Sequence, residues 1–353
     1  MDLDEWRSRI NALDEQILSL LHQRAAAALR IGELKRQAEL PYYAPEREAE
    51  VIDRLLSLTS GPFPAEGIKA VWREILSASL ALEEPLSVAY LGPPATFTHQ
   101  AAQLRFGSSA RLTPEKSIAD VFEAVEKGQA ELGVVPVENS TEGSVNLTLD
   151  RLMDSSLLIT GEILLEIALH LLSRATQLSA IRTVCSHVQA LAQCRQWLAV
   201  NLPEAQAVEV SSTAAAAERA AGDPMVAMVA SELAARFHSL PILRSRIEDN
   251  PFNSTRFLVV GRRATAPSGK DKTSILCSVK HEVGALAKFL EPFAGHGINL
   301  TKIESRPTKR RPWEYVFFVD FEGHQAAPPV QAALAEVRER CLFLKILGSY
   351  PAA

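Results

Sequence analysis

The stretch LGVVPVENSTEGS, residues 132–144, places a set of polar residues directly after an apolar run. Residues 132–137 carry no charge, whereas residues 138–142 are all polar and Gly143 follows them. A short apolar run that ends in turn-forming residues predicts a buried strand. The polar residues at its end are typical of a glycan acceptor, a helix cap or a binding site.

The segments around this strand alternate between strand and helix patterns. Residues 86–92 predict a strand, and residues 95–106 and 117–127 predict helices. A second set follows within residues 162–260, with strand or helix patterns at RTVCSH, VQALAQCRQWLAV, QAVEV, STAAAAERAA, MVAMVA and TRFLVVG. Two α/β lobes with a cleft between them, as in bilobal binding proteins, are the simplest arrangement of these segments.

Polar turns follow several of these strands. They comprise residues 96–98, 138–141, 186–187, 211–213 and 253–256. Ligands of α/β sheets bind at the carboxyl ends of strands, and free N–H groups at helix N-termini attract anions. One such turn is typical of a helix cap, but five of them favour an anion-binding cleft. No GxGxxG motif follows the first strand, which argues against a dinucleotide site.

The whole chain excludes several classes of protein. Its 353 residues exceed what one core usually supports, so two or three domains are expected. The net charge of −5 offers no basic stripe for nucleic acid, and no apolar run approaches a membrane span. The acidic N-terminus does not resemble a signal peptide, so we expect a cytoplasmic protein in which the Asn-x-Ser/Thr patterns carry no glycans. The four cysteines lack metal-ligand spacing, and we predict no metal or cofactor.

The N-terminal segment has a helical pattern. Apolar residues recur at steps of three and four over residues 3–37: Leu3, Trp6, Ile10, Leu13, Ile17, Leu20, Ala27, Ile31 and Leu34. This seam predicts one long helix. After the break at residues 41–45, the patterns predict two shorter helices at 46–59 and 65–83.

Arg24 occupies a position of the seam where the pattern requires an apolar residue. One interpretation is that its side chain extends to solvent; the other is that it points into a pocket whose ligand is an anion. Arg7 and Lys35 lie on the same stripe but roughly 42 Å apart along a helix. An antiparallel second copy would bring Arg7 towards the other two cations, which predicts a homodimer with two equivalent pockets.

Three stretches of this segment are similar to the all-helical AroQ-type chorismate mutases. They are RxxINALDEQILSLLHQRAAAALRIGELK (7–35), YAPEREAEVIDRL (43–55) and WREILSASLALEE (72–84). The resemblance implies a chorismate site formed by Arg7 of a partner chain, Arg24, Lys35, Arg47, Glu48, Ser79 and Glu83. It also implies that Lys35 faces the ether oxygen and that Glu48 binds the ring hydroxyl. Such a site holds one conformer and stabilises charge on the ether oxygen.

Two positions depart from the pattern of that family. Ala44 stands where family members often have Asp, which should weaken a secondary contact. Glu83 stands where some relatives have Gln, and an ionised Glu would repel the ether oxygen. We therefore predict that Glu83 acts in its protonated form.

Residues 86–261 resemble prephenate dehydratases. The similar stretches are YLGPPATFTHQAA, VPVENSTEGSV, SHVQALAQC, VSSTAAAA and IEDNPFNSTRFLVVG. The resemblance implies conversion of prephenate to phenylpyruvate. It also implies a substrate site that contains Glu138, Asn139, Ser186, Gln193, Ser212, Thr213, Thr255 and Arg256.

The group that protonates the departing hydroxyl is left open by the sequence. Thr255 is the implied donor or leaving-group partner, although a hydroxyl is a weak acid. Glu138 is a second candidate, and His187 is a third for which the resemblance favours a positioning role. Val188 follows His187 where relatives usually have Pro. Arg256 is a candidate counter-ion for a substrate carboxylate.

The C-terminal segment follows a polar linker at residues 261–272. Its strand and helix patterns have the order βαββαβ, which predicts a ferredoxin-like unit. GALAKFL (284–290) and NLTKIESRP (299–307) resemble ACT domains. The resemblance implies phenylalanine as an allosteric inhibitor bound between two such domains, by Gly284, Ala285, Leu286, Asn299, Leu300, Glu304 and Ser305.

Together these resemblances identify the chain as a member of the bifunctional chorismate mutase/prephenate dehydratase family. They imply an all-α mutase at 1–84, a bilobal α/β dehydratase at 85–262 and an α+β ACT domain at 263–353, in a homodimer or dimer of dimers. Chorismate, prephenate and phenylalanine are the implied ligands. One alternative is a non-catalytic sensor that binds an amino acid. Another is an enzyme that has lost one activity, for which Ala44 and Val188 are the positions of interest.

Overall fold

The computed structural model describes residues 2–280, 282–307 and 315–353. It contains two compact units. The first comprises Met1–Ser87 and Arg105–Arg111, and the second comprises Val88–Leu104 and Leu112–Ala353.

Three helices form the first unit. They are α1 (Leu3–Gln37), α2 (Pro45–Leu58) and α3 (Ala65–Glu83). Asp2 caps α1, because its carboxylate accepts hydrogen bonds from the N–H groups of Asp4 and Glu5. Pro45 occupies the first turn of α2, where a missing N–H group has no cost. The all-α prediction for this segment is confirmed.

The second unit begins with an α/β lobe. Its elements are β1 (Ser87–Leu91), α4 (Phe97–Phe106), β2 (Arg111–Glu115), α5 (Ile118–Glu126), β3 (Leu132–Asn139), β4 (Gly143–Ser144), α6 (Asn146–Asp154) and β5 (Leu158–Glu166). Residues 132–144 therefore form a buried strand, a tight turn and the short strand β4. The pairing of Glu138 with Ser144 and of Asn139 with Gly143 makes this a hairpin.

A second sheet follows in the chain. Its lobe contains β6 (His170–Leu172), a 3₁₀ turn (Leu178–Ala180), β7 (Thr183–Ser186), α7 (Val188–Gln193), α8 (Arg195–Asn201), β8 (Gln206–Glu209), α9 (Thr213–Gly222), β9 (Val226–Ala230), α10 (Glu232–Phe237) and β10 (Ile242–Arg244). The strand order is β10-β6-β9-β7-β8. The two lobes predicted from the sequence are thus present.

The next strand, β11 (Ser254–Gly261), returns to the first sheet. The first sheet has the order β2-β1-β3-β11-β5, with β11 antiparallel to both neighbours. The sequence grouped TRFLVVG with the second set, and this grouping is wrong. Its apolar run identifies a buried strand, but burial alone does not identify the strand that pairs with it.

The C-terminal part adopts the βαββαβ order that the sequence predicts. It contains β12 (Asp271–Val279), α11 (Ala285–Gly295), β13 (Leu300–Pro307), β14 (Tyr315–Glu322), α12 (Pro328–Arg340) and β15 (Cys341–Pro351), with strand order β13-β14-β12-β15. Its sheet packs on the first lobe, since Ile159 and Leu258 share one buried apolar cluster with Leu276, Phe318 and Leu347. Burial of this shared cluster stabilises the contact between the two sheets.

Two further observations concern the sequence predictions. In the part of the chain that the structure describes, no helix has both the length and the apolar character of a membrane span. Cys185, Cys194 and Cys277 are buried and Cys341 is partly buried, and all four are free thiols.

Gly133 allows α5 to pack closely on β3. A Cβ atom at this position would lie 2.8 Å from Val121 Cγ1 and 3.0 Å from Val260 Cγ2. We expect Gly133→Ala to destabilise the second unit by about 1–3 kcal/mol through overpacking. Urea unfolding should show a lower midpoint. Gly161→Ala in β5 is the matched control, because its Cβ would meet nothing closer than 3.6 Å. Equal midpoints for the two variants would contradict this account of the packing.

Candidate active sites

A cavity of about 500 Å³ lies among the helices of the first unit. Its polar lining comes from all three helices and the turn after α1: Arg24, Lys35, Tyr42, Tyr43, Arg47, Glu48, Ser79 and Glu83. Every residue of the predicted chorismate set except Arg7 lines this cavity. Arg24 and Lys35 reach it from one helix because residues eleven positions apart, about three turns, share a face.

Arg24 is held in the cavity by α3. Its guanidinium donates a hydrogen bond to Ser79 Oγ, and the Ser79 hydroxyl donates in turn to the carbonyl of Ile75 at 2.6 Å. Burial lowers the pKa of Arg24 below its ordinary value. The alternative in which Arg24 extends to solvent does not match this geometry.

Lys35 lies between a carbonyl and a carboxylate. Its Nζ donates to the carbonyl of Tyr42 at 2.8 Å and lies 3.7 Å from Glu83 Oε2. Glu83 fits against α1 because Gly32 has no side chain there. Glu83 Oε2 is buried and, in the part of the chain that the structure describes, has no hydrogen-bond partner. The protonated form of Glu83 stays a prediction.

Glu48 has a partner that the sequence did not reveal. Arg105 belongs to the same compact unit, and its Nη1 lies 3.0 Å from Glu48 Oε2. Burial raises the pKa of Glu48, whereas the charge of Arg105 and its hydrogen bond lower it. Because Arg105 lies outside the stretches that resemble mutases, nothing in those motifs pointed to it.

The remaining predicted cations are exposed. Arg47 lines the cavity, but its guanidinium contacts Glu50 one turn along α2. Arg7 pairs with Asp4, and its side chain is 66% exposed. Arg7 precedes Arg24 by 17 positions in one helix, roughly 26 Å. It cannot reach the cavity of its own chain.

A second cavity, of about 550 Å³, lies between the two sheets of the α/β lobes. Residues from the first sheet and from the second sheet line it. Of the predicted prephenate set, the lining includes Asn139, Ser186, Gln193, Ser212, Thr213 and Thr255. His187 lines it too, at the start of α7.

A chain of side-chain amides crosses one wall of this cavity. Asn139 Nδ2 donates to Thr255 Oγ1 at 2.8 Å and to Asn253 Oδ1 at 3.0 Å. Asn253 Nδ2 donates to Gln193 Oε1 at 2.9 Å, and Gln193 Nε2 donates to Glu142 Oε1 at 3.0 Å. The chain links the first sheet, the hairpin turn and α7.

The direction of every bond in this amide chain is determined by its ends. Asn139 Oδ1 accepts from the backbone N–H groups of Thr141 and Glu142, which can only donate. Its Nδ2 must therefore face Thr255 and Asn253. At the other end, the carboxylate of Glu142 accepts. Thr255 Oγ1 is consequently an acceptor from Asn139, which leaves its hydroxyl hydrogen for a group in the cavity.

The cavity has no lysine or arginine in its lining among the described residues; Glu142 and His187 are its titratable groups. Two helices of ten residues start there instead. Phe97 and Thr98 open α4, and Thr213 opens α9 after its cap Ser212. Free N–H groups and the helix dipole favour anions at such ends. A substrate carboxylate can thus be bound without a cation.

Arg256 lies away from this cavity, which contradicts its predicted role as a counter-ion. Its guanidinium contacts Glu162 at 2.7 Å, Asp320 at 2.6 Å and the Tyr350 hydroxyl at 2.9 Å. Burial opposes the charge, but these neighbours outweigh it and raise the pKa of Arg256. The reason is geometric: successive side chains of a strand point to opposite faces, so Thr255 in the cavity turns Arg256 towards the third sheet.

Glu138 is displaced for the same reason. It precedes Asn139 in β3, does not line the cavity, and pairs with Lys302 of β13 at 2.8 Å. Its role as a second proton donor is therefore not supported by its position.

The predicted effector residues fall on two consecutive elements of the third sheet region. Gly284 has a left-handed backbone with φ 77° and caps α11, followed by Ala285 and Leu286. Leu300, Glu304 and Ser305 lie on the edge strand β13, which Asn299 precedes. Their role in binding an effector stays a prediction.

Known proteins are similar to this chain over its whole length. Family models described as chorismate mutase type II, prephenate dehydratase and ACT domain match residues 6–84, 88–265 and 273–339. The bifunctional chorismate mutase/prephenate dehydratase of Aquifex aeolicus (strain VF5) is 53% identical, over 100% of this chain and 98% of that protein. The chain belongs to this bifunctional family.

Two further relatives support the assignment. The bifunctional chorismate mutase/prephenate dehydratase of Pseudomonas aeruginosa is 45% identical over 99% of this chain and 98% of that protein. The crystal structure of a prephenate dehydratase from Arthrobacter aurescens, in complex with L-Phe, is 36% identical with a TM-score of 0.69. It covers 75% of this chain and 90% of that one.

Three residues of the two sites are absent from the predicted substrate-binding sets. Asn253 and Glu142 complete the amide chain, and Arg105 pairs with Glu48. Asn253 and Glu142 lie within the polar stretches at 253–256 and 138–143, so position in a polar turn was the available signal for both. For Arg105 there was none.

Removal of Arg105 should change the pH dependence of the helical site. If the carboxylate of Glu48 binds substrate, activity is present above its pKa and is lost as the pH falls through it. Without Arg105 that pKa rises, so Arg105→Met should move the acid limb of mutase kcat/KM upward by about one pH unit. Arg105→Lys should move it less, and Glu48→Gln should remove it. An acid limb that is the same in Arg105→Met and the unaltered protein would contradict this.

Proposed function

We propose that this chain catalyses two consecutive reactions. The helical cavity rearranges chorismate to prephenate, and the cleft between the lobes converts prephenate to phenylpyruvate. The observation that carries the proposal is that one chain holds both cavities and is similar over its full length to proteins named for both activities. The proposed domains are residues 1–84, 85–262 and 263–353, and the proposed location is the cytoplasm.

The helical cavity suits a rearrangement that needs no proton transfer. Arg24, with Arg47 and a partner's Arg7, would bind the two carboxylates of chorismate and hold its reactive conformer. Lys35 would stabilise the negative charge that develops on the ether oxygen. Glu48 would accept a hydrogen bond from the ring hydroxyl, and Ser79 positions Arg24.

A homodimer is part of this proposal. The apolar seam of α1 is exposed along its length, with Trp6 at 48%, Ile10 at 54% and Ile17 at 55%. An exposed apolar stripe of this size predicts a partner surface. An antiparallel second copy of α1 would cover the stripe and would supply Arg7 to the cavity. The proposed assembly is this homodimer or a dimer of such dimers, and the mass of the protein in solution distinguishes the two.

The cleft suits a dehydration coupled to decarboxylation. The bond between the ring and its carboxylate breaks, CO2 leaves, and the electron pair enters the ring as the bond to the ring hydroxyl breaks. One proton converts the departing hydroxyl to water. Thr255 lies at the cavity with its hydroxyl hydrogen free, and Asn139 donates to its oxygen. We assign Thr255 as the hydrogen-bond donor to the departing hydroxyl, oriented by Asn139.

Phenylalanine is the proposed effector. A relative that is 36% identical was crystallised in complex with L-Phe. The N-terminus of α11, preceded by Gly284, and the strand β13 form the proposed binding region. Binding there inhibits the dehydratase only if it favours a less active state.

The function is tested by incubating the purified protein with chorismate. Loss of chorismate, transient prephenate and final phenylpyruvate are expected, and added phenylalanine should slow the last step. Accumulation of prephenate would show that the dehydratase activity is absent. No turnover at all, with phenylalanine bound, would favour the sensor alternative.

Thr255 can be tested with a matched pair of variants. Thr255→Val keeps the shape but removes the hydroxyl, and should lower dehydratase kcat by about 10²–10⁴-fold. Thr255→Ser keeps the hydroxyl and should retain most of the activity. Mutase activity of the same samples reports that the helical unit is intact. Near-normal dehydration by Thr255→Val would remove Thr255 from the mechanism.

A further inference from the structure

A lysine of the third sheet reaches the hairpin that carries part of the dehydratase cleft. Lys302 on β13 places its Nζ 2.8 Å from Glu138 Oε2 and 3.3 Å from Ser144 Oγ. The Lys302 side chain is 12% exposed and the Glu138 side chain 36%, so this contact is partly shielded from water. Glu138 and Ser144 are paired across the hairpin, so Lys302 binds both of its strands at one level.

The residues next to the Glu138–Ser144 pair, towards the tip of the hairpin, belong to the cleft. Asn139 follows Glu138, and Asn139 Oδ1 accepts from the backbone N–H groups of Thr141 and Glu142 in the turn. Ser144 itself lines the cavity. A shift of the hairpin would therefore move the amide that orients Thr255.

The tip of the hairpin is exposed and is held by hydrogen bonds, among them those that Glu142 accepts from Gln189 and Gln193. Residues 140–143 are exposed, and Gly143 has a left-handed backbone with φ 82° and no atom within 4 Å of a Cβ position. The strand β3 is fixed in the first sheet, whereas β4 has two residues and pairs with β3. The Lys302–Glu138 pair adds an ionic contact at the base of the hairpin.

The strand β13, which carries Lys302, also contacts α6, the helix that follows the hairpin. Arg306 lies four positions further along β13, on the same face, and contacts Asn146 and, at 2.7 Å, Asp150 of α6. Glu304 lies between the two cations in sequence and shares their face. The proposed effector residues thus sit on a strand that contacts the hairpin directly.

We propose that Lys302 is a positioning residue for the dehydratase reaction, which holds the Glu138–Ser144 hairpin in its active position and transmits effector binding on β13 to Asn139. This inference rests on the proposed function of the cleft. Displacement of β13 weakens the Lys302–Glu138 contact, and the amide of Asn139 then loses its alignment with Thr255.

The test compares Lys302→Met, Lys302→Arg and a control, Lys345→Met, in the full chain. Lys345 also extends from the third sheet to the first lobe, but it contacts the carbonyls of Leu152, Met153 and Ser155 at the end of α6. The substitution Lys345→Met removes a cation that joins the third sheet to the first lobe, but it leaves the contacts of the hairpin unchanged. Circular dichroism on heating and mutase activity verify that each variant is folded.

Hydrogen exchange is the first readout, because it does not depend on dehydratase turnover. In Lys302→Met the amides of residues 141, 142 and 145 should exchange about fivefold faster or more, whereas Lys302→Arg and Lys345→Met should match the unaltered protein there. Added phenylalanine should speed the same amides in the unaltered protein and change them little in Lys302→Met.

Kinetics is the second readout. Lys302→Met should lower dehydratase kcat about tenfold or more with a smaller change in KM, and should weaken inhibition by phenylalanine about fivefold or more. Lys302→Arg should restore most of both. Adding Glu138→Gln to Lys302→Met should cause little further loss, since the pair acts as a unit.

The possible outcomes separate the two proposals. Unchanged exchange and unchanged kinetics in Lys302→Met, or equal effects of Lys302→Met and Lys345→Met, would overturn the role of Lys302. Faster exchange at the hairpin in a protein with no dehydratase turnover would overturn the proposed function of the cleft but support the coupling of β13 to the hairpin.

Discussion

The pairing of β11 with β3 is the constraint on which the dehydratase cleft depends. Two strands separated by more than a hundred residues lie antiparallel in one sheet, and their register places Thr255 opposite Asn139. The intervening chain forms the second lobe, so the same pairing closes the first sheet and brings the second sheet to the cleft. A shift of one residue would turn Thr255 away and bring Arg256 towards the cavity.

Local periodicity explains which sequence predictions succeeded, and the alternation of side chains along a strand explains which failed. The helix over residues 3–37 and the βαββαβ order follow from local periodicity, and the structure has both. Glu138 was predicted as an alternative proton donor and Arg256 as a counter-ion, and they adjoin Asn139 and Thr255 in the sequence. Successive side chains of a strand point to opposite faces. This rule, applied to the sequence, would have excluded Glu138 and Arg256 from the cavity that Asn139 and Thr255 line.

Other features required the folded chain. The sequence gives no measure of which strand pairs with β11, because its apolar run suits any central position of a sheet. The Arg105–Glu48 pair joins residues 57 positions apart, and the Lys302–Glu138 pair joins β13 to β3. Charged residues are common on the surfaces of helices and strands, and composition does not distinguish those that contact a partner distant in the sequence.

The two cavities differ in what happens to the carboxylates of their substrates. In the helical cavity the substrate carboxylates persist through the reaction. In the proposed site, cations such as Arg24 would stabilise the substrate and the transition state alike, and Lys35 would favour the transition state at the ether oxygen. In the cleft one carboxylate leaves as neutral CO2. A cation bound to that group would stabilise the ground state more than the transition state, where the charge has moved into the ring. Neutral hydroxyls, amides and helix N-termini stabilise that carboxylate less than a cation would, so the penalty is smaller. Arg256, the cation next to Thr255, is held by Glu162 and Asp320 on the far side of the strand.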